Sequence, residues 1–167
     1  SELINEEKAR LIVQHIENSP IDQYYDVSVF TQAAVQGCLG VNTMKADKHL
    51  YDHVRFDSRN EKTFMEKLEE NDEIEAYVKL PNSFYIPTPM GKYHPDWAIV
   101  FKQKLSKYPY FIAETKASDS SLQDREIERA KIECAKKHFA NVNGGKLKYD
   151  KVSSFEELLK IVAQDPV

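Results

Sequence analysis

Pro95-Asp96-Trp97-Ala98-Ile99-Val100-Phe101 and, beyond a polar connection, Tyr110-Phe111-Ile112-Ala113-Glu114-Thr115-Lys116 are the stretch on which the reading of this chain turns. Both segments are short apolar runs with the length and composition of buried strands. Side chains alternate faces along a strand, so Glu114 and Lys116 point one way and Thr115 the other. If the two strands are neighbours, Asp96 joins Glu114 and Lys116 at one spot. Charged groups at the ends of apolar runs are common on sheet edges, where they are simply solvated. Here they directly terminate core-forming segments, where a charge is costly unless it serves a purpose. Two carboxylates suit a hard divalent cation, and an ammonium beside them suits developing negative charge. The residue types therefore outline a metal-dependent phosphodiesterase site.

Outward from this stretch the chain reads as alternating helices and strands. Ser58-Arg59-Asn60-Glu61 is a capping-box sequence opening a helix whose apolar face is Phe64, Met65 and Leu68, ended at Asn71-Asp72. Ile74, Ala76, Val78 and Leu80 alternate with Glu75, Tyr77 and Lys79, the pattern of a half-buried strand with the first four on its inner face. Phe84-Tyr85-Ile86 is a further extended piece, and Pro87, Pro89 and Gly91 make a turn-rich passage. Lys102 to Pro109 has the length of a hairpin connection, and Ala117 to Ser121 is a polar loop. Leu122, Ile127, Ala130, Cys134 and Ala135 mark the apolar stripe of a long helix to about His138. Asn143-Gly144-Gly145 is a turn, Lys146 to Val152 a strand, and Phe155 to Val162 a helix capped by Ser153 or Ser154. This order predicts an α/β fold, a mixed sheet flanked by helices on both faces.

The N-terminal part differs. Residues 2–18 predict a helix with Leu3, Ile4, Leu11, Ile12 and Ile16 on one stripe, stopped at Asn18-Ser19-Pro20, and residues 26–41 predict another short helix. The polar and aromatic stretch from Asn42 to Phe56 carries no clear period. The expected organisation is a helical N-terminal extension over 1–57 and a core domain over 58–167. A first residue of Ser1 suggests processing or a piece of something longer.

At 167 residues, with 41% hydrophobic and 30% charged content, the chain suffices for one domain with a real core. Cys38 and Cys134 form no C-x-x-C pattern, which argues for reduced thiols and a cytoplasmic setting without a zinc or disulfide framework. His49 and His53 have i, i+4 spacing but lack the rest of an H-E-x-x-H motif. No apolar run is long enough to span a membrane. The net charge of −4 argues against strong unaided binding to nucleic acid, although Lys131, Lys136, Lys137, Lys146, Lys148 and Lys151 cluster after the acidic stretch.

The motif Pro95-Asp96…Glu114-x-Lys116 resembles that of the PD-(D/E)xK nuclease superfamily. The longer string is more specific: Tyr77-Val78-Lys79-Leu80-Pro81, Phe84-Tyr85-Ile86-Pro87-Thr88-Pro89, Gly91, Tyr93, Pro95-Asp96-Trp97-Ala98-Ile99, Ala113-Glu114-Thr115-Lys116, Glu126, Lys131-Ile132 and Cys134-Ala135-Lys136-Lys137-His138-Phe139. It resembles the C-terminal endonuclease domain of the Res subunit of type III restriction enzymes, over roughly Ser58 to Phe139. Two positions depart from that pattern, His94 for Asn and Ala117 for Gly; against the family the expectation is narrower access to the metal at Ala117 and an added phosphate contact at His94, with neither change removing a metal ligand.

The resemblance implies a restriction-endonuclease-like fold and Mg²⁺-dependent cleavage of double-stranded DNA, with Mn²⁺ able to substitute. It implies Asp96 and Glu114 as metal ligands with the Thr115 carbonyl, Lys116 as the residue that places the attacking water, and Glu61 as an acidic group beside the metal. For Glu61 the capping-box role stays equally open. Lys131, Lys136, Lys137 and His138 are the candidate DNA contacts, against the alternative of a solvated helix face. A helicase or translocase region, a modification subunit and a second nuclease domain are the implied partners. No G-x-x-x-x-G-K-[ST] occurs, so no ATP site is expected in this chain. The rival reading is a nuclease-fold module that binds DNA or protein without catalysis.

Overall fold

The computed structural model describes residues 42–102, 110–115, 122–141 and 147–163. The two helices expected before residue 42, the connection from 103 to 109, the loop from 116 to 121 and the Asn143-Gly144-Gly145 turn lie outside the described residues. Among those described, the elements run β1 (Thr43–Lys45), β2 (His53–Arg55), α1 (Arg59–Glu70), β3 (Ile74–Lys79), β4 (Ile86–Thr88), β5 (Gly91–Tyr93), β6 (Trp97–Phe101), β7 (Tyr110–Thr115), α2 (Leu122–Asn141), β8 (Leu147–Val152) and α3 (Phe155–Ala163).

A four-stranded sheet of order β3-β6-β7-β8 organises the chain. Its first two pairings are antiparallel and β7 runs parallel to β8, the connection being made through α2. On one face, Trp97, Ile99, Phe101, Phe111, Ala113 and Val152 pack against Phe64, Met65 and Leu68 of α1 and Phe155, Leu158 and Val162 of α3. On the other, Ile112 and Tyr149 pack with Ile132, Ala135 and Phe139 of α2 and with Ile86 and Tyr93 of the β4–β5 pair. The expected mixed sheet with helices on both faces is the observed one.

Both amphipathic helices on the first face start with the same device. Ser58 Oγ accepts the Glu61 N–H at 3.1 Å while Glu61 Oε2 accepts the Asp57 N–H at 2.7 Å. Ser154 Oγ accepts from Glu157 N at 3.2 Å, and Glu157 Oε2 accepts from Ser153 N at 2.6 Å. Serine and glutamate thus exchange bonds across the first turn, a variant of the capping box in which glutamate reaches one residue further back. Ser154 is the cap, and Ser153 holds the carboxylate.

Several local expectations are corrected. The Asn42 to Phe56 stretch holds two short antiparallel strands, β1 and β2, and sends Ala46 and Val54 into the first core. The even alternation expected for Ile74 to Leu80 is broken by a register shift between Ile74 and Ala76. An extra residue there rotates the strand, so Ile74 and Tyr77 enter the first core while Val78 and Leu80 join the second. The passage through Pro87 is part of a strand pair, β4 with β5, turned at Gly91 with φ of 106°. The helix α2 extends to Asn141, and its buried face is Ile132, Cys134, Ala135 and Phe139; Ile127 is exposed.

Candidate active site

The facing edges of the two central strands carry the acids. Trp97 stands opposite Ala113 in the β6–β7 pairing, so Asp96, one step earlier, falls opposite Glu114. Asp96 Oδ2 accepts two bonds from Thr115, from its N–H at 2.8 Å and its hydroxyl at 2.8 Å. The hydroxyl in turn accepts the Trp97 indole N–H at 3.1 Å. Trp97 is fully buried on the first face, so its core packing also aims a donor at the site. Burial pushes the Asp96 carboxyl upward from its ordinary pKa, and the nearby Glu61 charge adds to that; the Thr115 bonds and the Lys79 ammonium pull it back only in part.

Glu114 is the buried charged residue of the described core, at 5% exposure. Its Oε2 accepts the Tyr93 hydroxyl at 2.9 Å, and Tyr93 is also hydrogen-bonded to the Tyr149 hydroxyl. With its proton committed to Glu114, Tyr93 takes its second bond as acceptor, which makes Tyr149 the outer donor. Both tyrosines are held far above their ordinary pKa, first by burial and also by the Glu114 charge. They remain neutral donors across the physiological range. Each carboxylate therefore rests on a two-donor relay, Trp97 through Thr115 for Asp96 and Tyr149 through Tyr93 for Glu114.

Glu61 reaches this corner from the first turn of α1. The carboxylate oxygen that accepts the Asp57 N–H also accepts Lys79 Nζ at 2.8 Å, and the same ammonium meets Asp57 Oδ2 at 2.7 Å. Lys79 lies opposite Trp97 in the β3–β6 pairing, with its Nζ 5.9 Å from the indole ring. The bond to Lys79 draws the Asp57 pKa down. Glu61 thus serves as cap and as the acceptor of Lys79, and its charge is felt at Asp96.

The other candidates are distributed unevenly. Lys116 lies outside the described residues, one position beyond β7. Lys131 Nζ bonds the Lys92 carbonyl at 3.4 Å and lines a groove of about 460 Å³ with Lys92, Tyr93, His94, Ile127 and Glu128. His94 holds the Phe84 carbonyl at 3.1 Å through Nδ1. Lys136 is paired with Asp150 at 3.0 Å, and Lys137 is half-buried. His138 is half-buried edge-on to Phe139, and burial lowers its pKa. Glu126 is exposed on α2. His49 bridges to β3 and accepts the Lys79 N–H at 3.1 Å through Nε2. Cys134 is a buried core thiol whose pKa burial raises.

Reasoning from sequence missed Lys79, Tyr93 and Tyr149 as site residues, and the Thr115 side chain. Thr115 was expected to point away from Asp96. One signal was available for Tyr93, an aromatic hydroxyl two residues before Pro95, on the approach to the acidic strand. Lys79 and Tyr149 carry no local signal, because only the sheet order places β3 and β8 beside the acids.

The donor set suits a small hard cation. Two carboxylates on facing strand ends, short of a full ligand cage, suit a hard divalent cation that retains several waters. Among the described residues no group of three or more His, Cys, Asp or Glu forms such a cage. Asp96 offers Oδ1 beyond the oxygen engaged by Thr115, and its raised pKa marks a negative charge that a cation would relieve.

A mixed sheet wrapped by helices on both faces, with its acids at the facing edges of the two central strands, defines the restriction-endonuclease-like class. Residues 47–155 match the family model described as an endonuclease domain, which is more than half of the chain. The chain belongs to that endonuclease-domain family. No curated protein and no solved structure matches it.

Proposed function

We propose that this endonuclease domain hydrolyses phosphodiester bonds of double-stranded DNA with Mg²⁺, as the nuclease part of a type III restriction enzyme does. The single observation that carries the reading is the strand register that sets Asp96 opposite Glu114, each braced by its own donors. Asp96, Glu114 and the Thr115 carbonyl would hold the ion, and Mn²⁺ would substitute. When bound, the ion lowers the pKa of a coordinated water and offsets charge on the phosphate. Lys116, one residue past Thr115, is the residue proposed to orient the water and stabilise the pentavalent phosphate. Trp97, Thr115, Tyr93 and Tyr149 hold the two carboxylates in place, and their fixed orientations avoid reorganisation during the reaction.

The DNA backbone is proposed to follow the groove between β5 and α2, where Lys92 and Lys131 make no ion pair with any described carboxylate. Tyr93 lines that groove while its hydroxyl contacts Glu114, so the groove adjoins the acids. Lys136, Lys137 and His138 sit further along α2 and remain proposed contacts, Lys136 at the expense of its Asp150 pair. A net charge of −4 favours a domain that relies on partners for most of its grip. A translocating motor region, a modification subunit and a second nuclease domain are the partners proposed. The compartment proposed is the cytoplasm.

The test is cleavage of supercoiled plasmid in Mg²⁺ by the full chain. We expect nicking or linearisation that disappears in Asp96→Ala and Lys116→Ala proteins and in EDTA. Equal cutting by both variants overturns the assignment, and DNA binding with no cutting at all supports the non-catalytic module instead.

A further inference from the structure

The groove between β5 and α2 has a lining that a duplex backbone does not require. Lys92 and Lys131 supply cations, Ile127 an apolar side chain 43% exposed, His94 an exposed ring and Glu128 an acid. A track for phosphates calls for cations; an apolar group, a ring and an acid beside them suit a nucleobase and its sugar. The His94 ring is fixed in place. Its Nδ1 bonds the Phe84 carbonyl at 3.1 Å, and the Tyr85 ring flanks it with centroids 5.9 Å apart. Lys92 Nζ lies 4.0 Å from the Tyr85 centroid, so one cation and two rings form an array along the β4–β5 pair. From the α2 wall, Lys131 Nζ reaches across to the Lys92 carbonyl at 3.4 Å. The volume, about 460 Å³, suits a small organic ligand of nucleotide size and is far too small for a duplex.

We infer that this groove holds an unpaired nucleotide of the DNA strand, with its phosphate between Lys92 and Lys131 and its base against His94 and Ile127. The inference rests on the nuclease reading above and narrows its substrate to DNA opened locally beside the cut. In a paired helix the base faces are stacked inside, and a base reaches a protein wall only after it leaves the stack. Tyr93 lines the groove while its hydroxyl donates to Glu114, so a nucleotide held there adjoins the acids.

The experiment compares fluorescein-labelled oligothymidine, which does not pair with itself, with a labelled hairpin duplex. Binding to the full chain is read by fluorescence anisotropy in EDTA at low salt, and circular dichroism verifies folding of each variant. The single strand is expected to bind about tenfold more tightly than the duplex, the worth of one stacked base. The double variant Lys92→Ala with Lys131→Ala is expected to weaken both probes. The double variant His94→Ala with Ile127→Ser is expected to weaken the single strand alone and so to abolish the preference. A single strand bound no more tightly than the duplex, or a preference that survives in the His94 and Ile127 variant, overturns the inference. Plasmid cutting that persists in either case leaves the nuclease reading standing. Preferential strand binding by a chain that cuts no plasmid upholds the groove's role and removes the nuclease reading instead.

Discussion

Asp96 carries its charge against the preference of its surroundings. Burial dominates the upward shift of its pKa, with the Glu61 charge in the same direction. A carboxyl whose folded pKa lies above its unfolded value binds more protons in the native state between the two values. Stability therefore falls as pH rises through that window, and the penalty is fully present above the folded pKa. Asp96→Asn keeps an acceptor for the two Thr115 donors while removing the charge. It is expected to raise the melting temperature of the metal-free protein by a few degrees at pH 7.5 and to leave it unchanged near pH 3. Equal melting curves at both pH values would show that the charge is not strained. At this scale the acids were legible, because a charge that ends an apolar strand must be explained. Their donors were not, since Tyr93 and Tyr149 stand far apart in sequence and meet only through the second core.

Elements form where local signals agree. The two Ser-to-Glu exchanges at the starts of α1 and α3 are readable because their partners lie within one turn. Replacing Ser154 by alanine is expected to cost about 1 kcal/mol, measured by urea unfolding. Leu68→Ala, by contrast, opens the fully buried seam between α1 and the sheet and is expected to cost roughly 2–5 kcal/mol. A larger loss from the cap than from the core would contradict this ranking. Where an element departs from its pattern, a nonlocal cause is visible. The shift between Ile74 and Ala76 reassigns Tyr77 to the first core, because β3 must meet the register of β6. Ile127 leaves the apolar stripe of α2 because the helix turns Ile132, Ala135 and Phe139 to the sheet, and Ile127 is left at the groove beside β5.

For the whole molecule, the segment before Ser58 matters to the core. Ala46 and Val54 are buried within the first cluster, Asp57 pairs with Lys79, and the family match begins at residue 47. A chain trimmed to start at Ser58 is expected to melt well below one starting at Asn42, as followed by circular dichroism. Indistinguishable melting of the two would make residues 42–57 an independent appendage. Period, capping and the ends of apolar runs are local properties, and they suffice for the layered α/β plan and for the strands that bear Asp96 and Glu114. Which residues brace those acids depends on contacts between distant strands. Strand order sets Lys79 of β3 beside the strand of Asp96 and Tyr149 of β8 beside the strand of Glu114, and pairing register turns Thr115 to Asp96. Neither is encoded in the spacing of neighbours along the chain, because contacts between distant strands follow from how two cores pack onto one sheet.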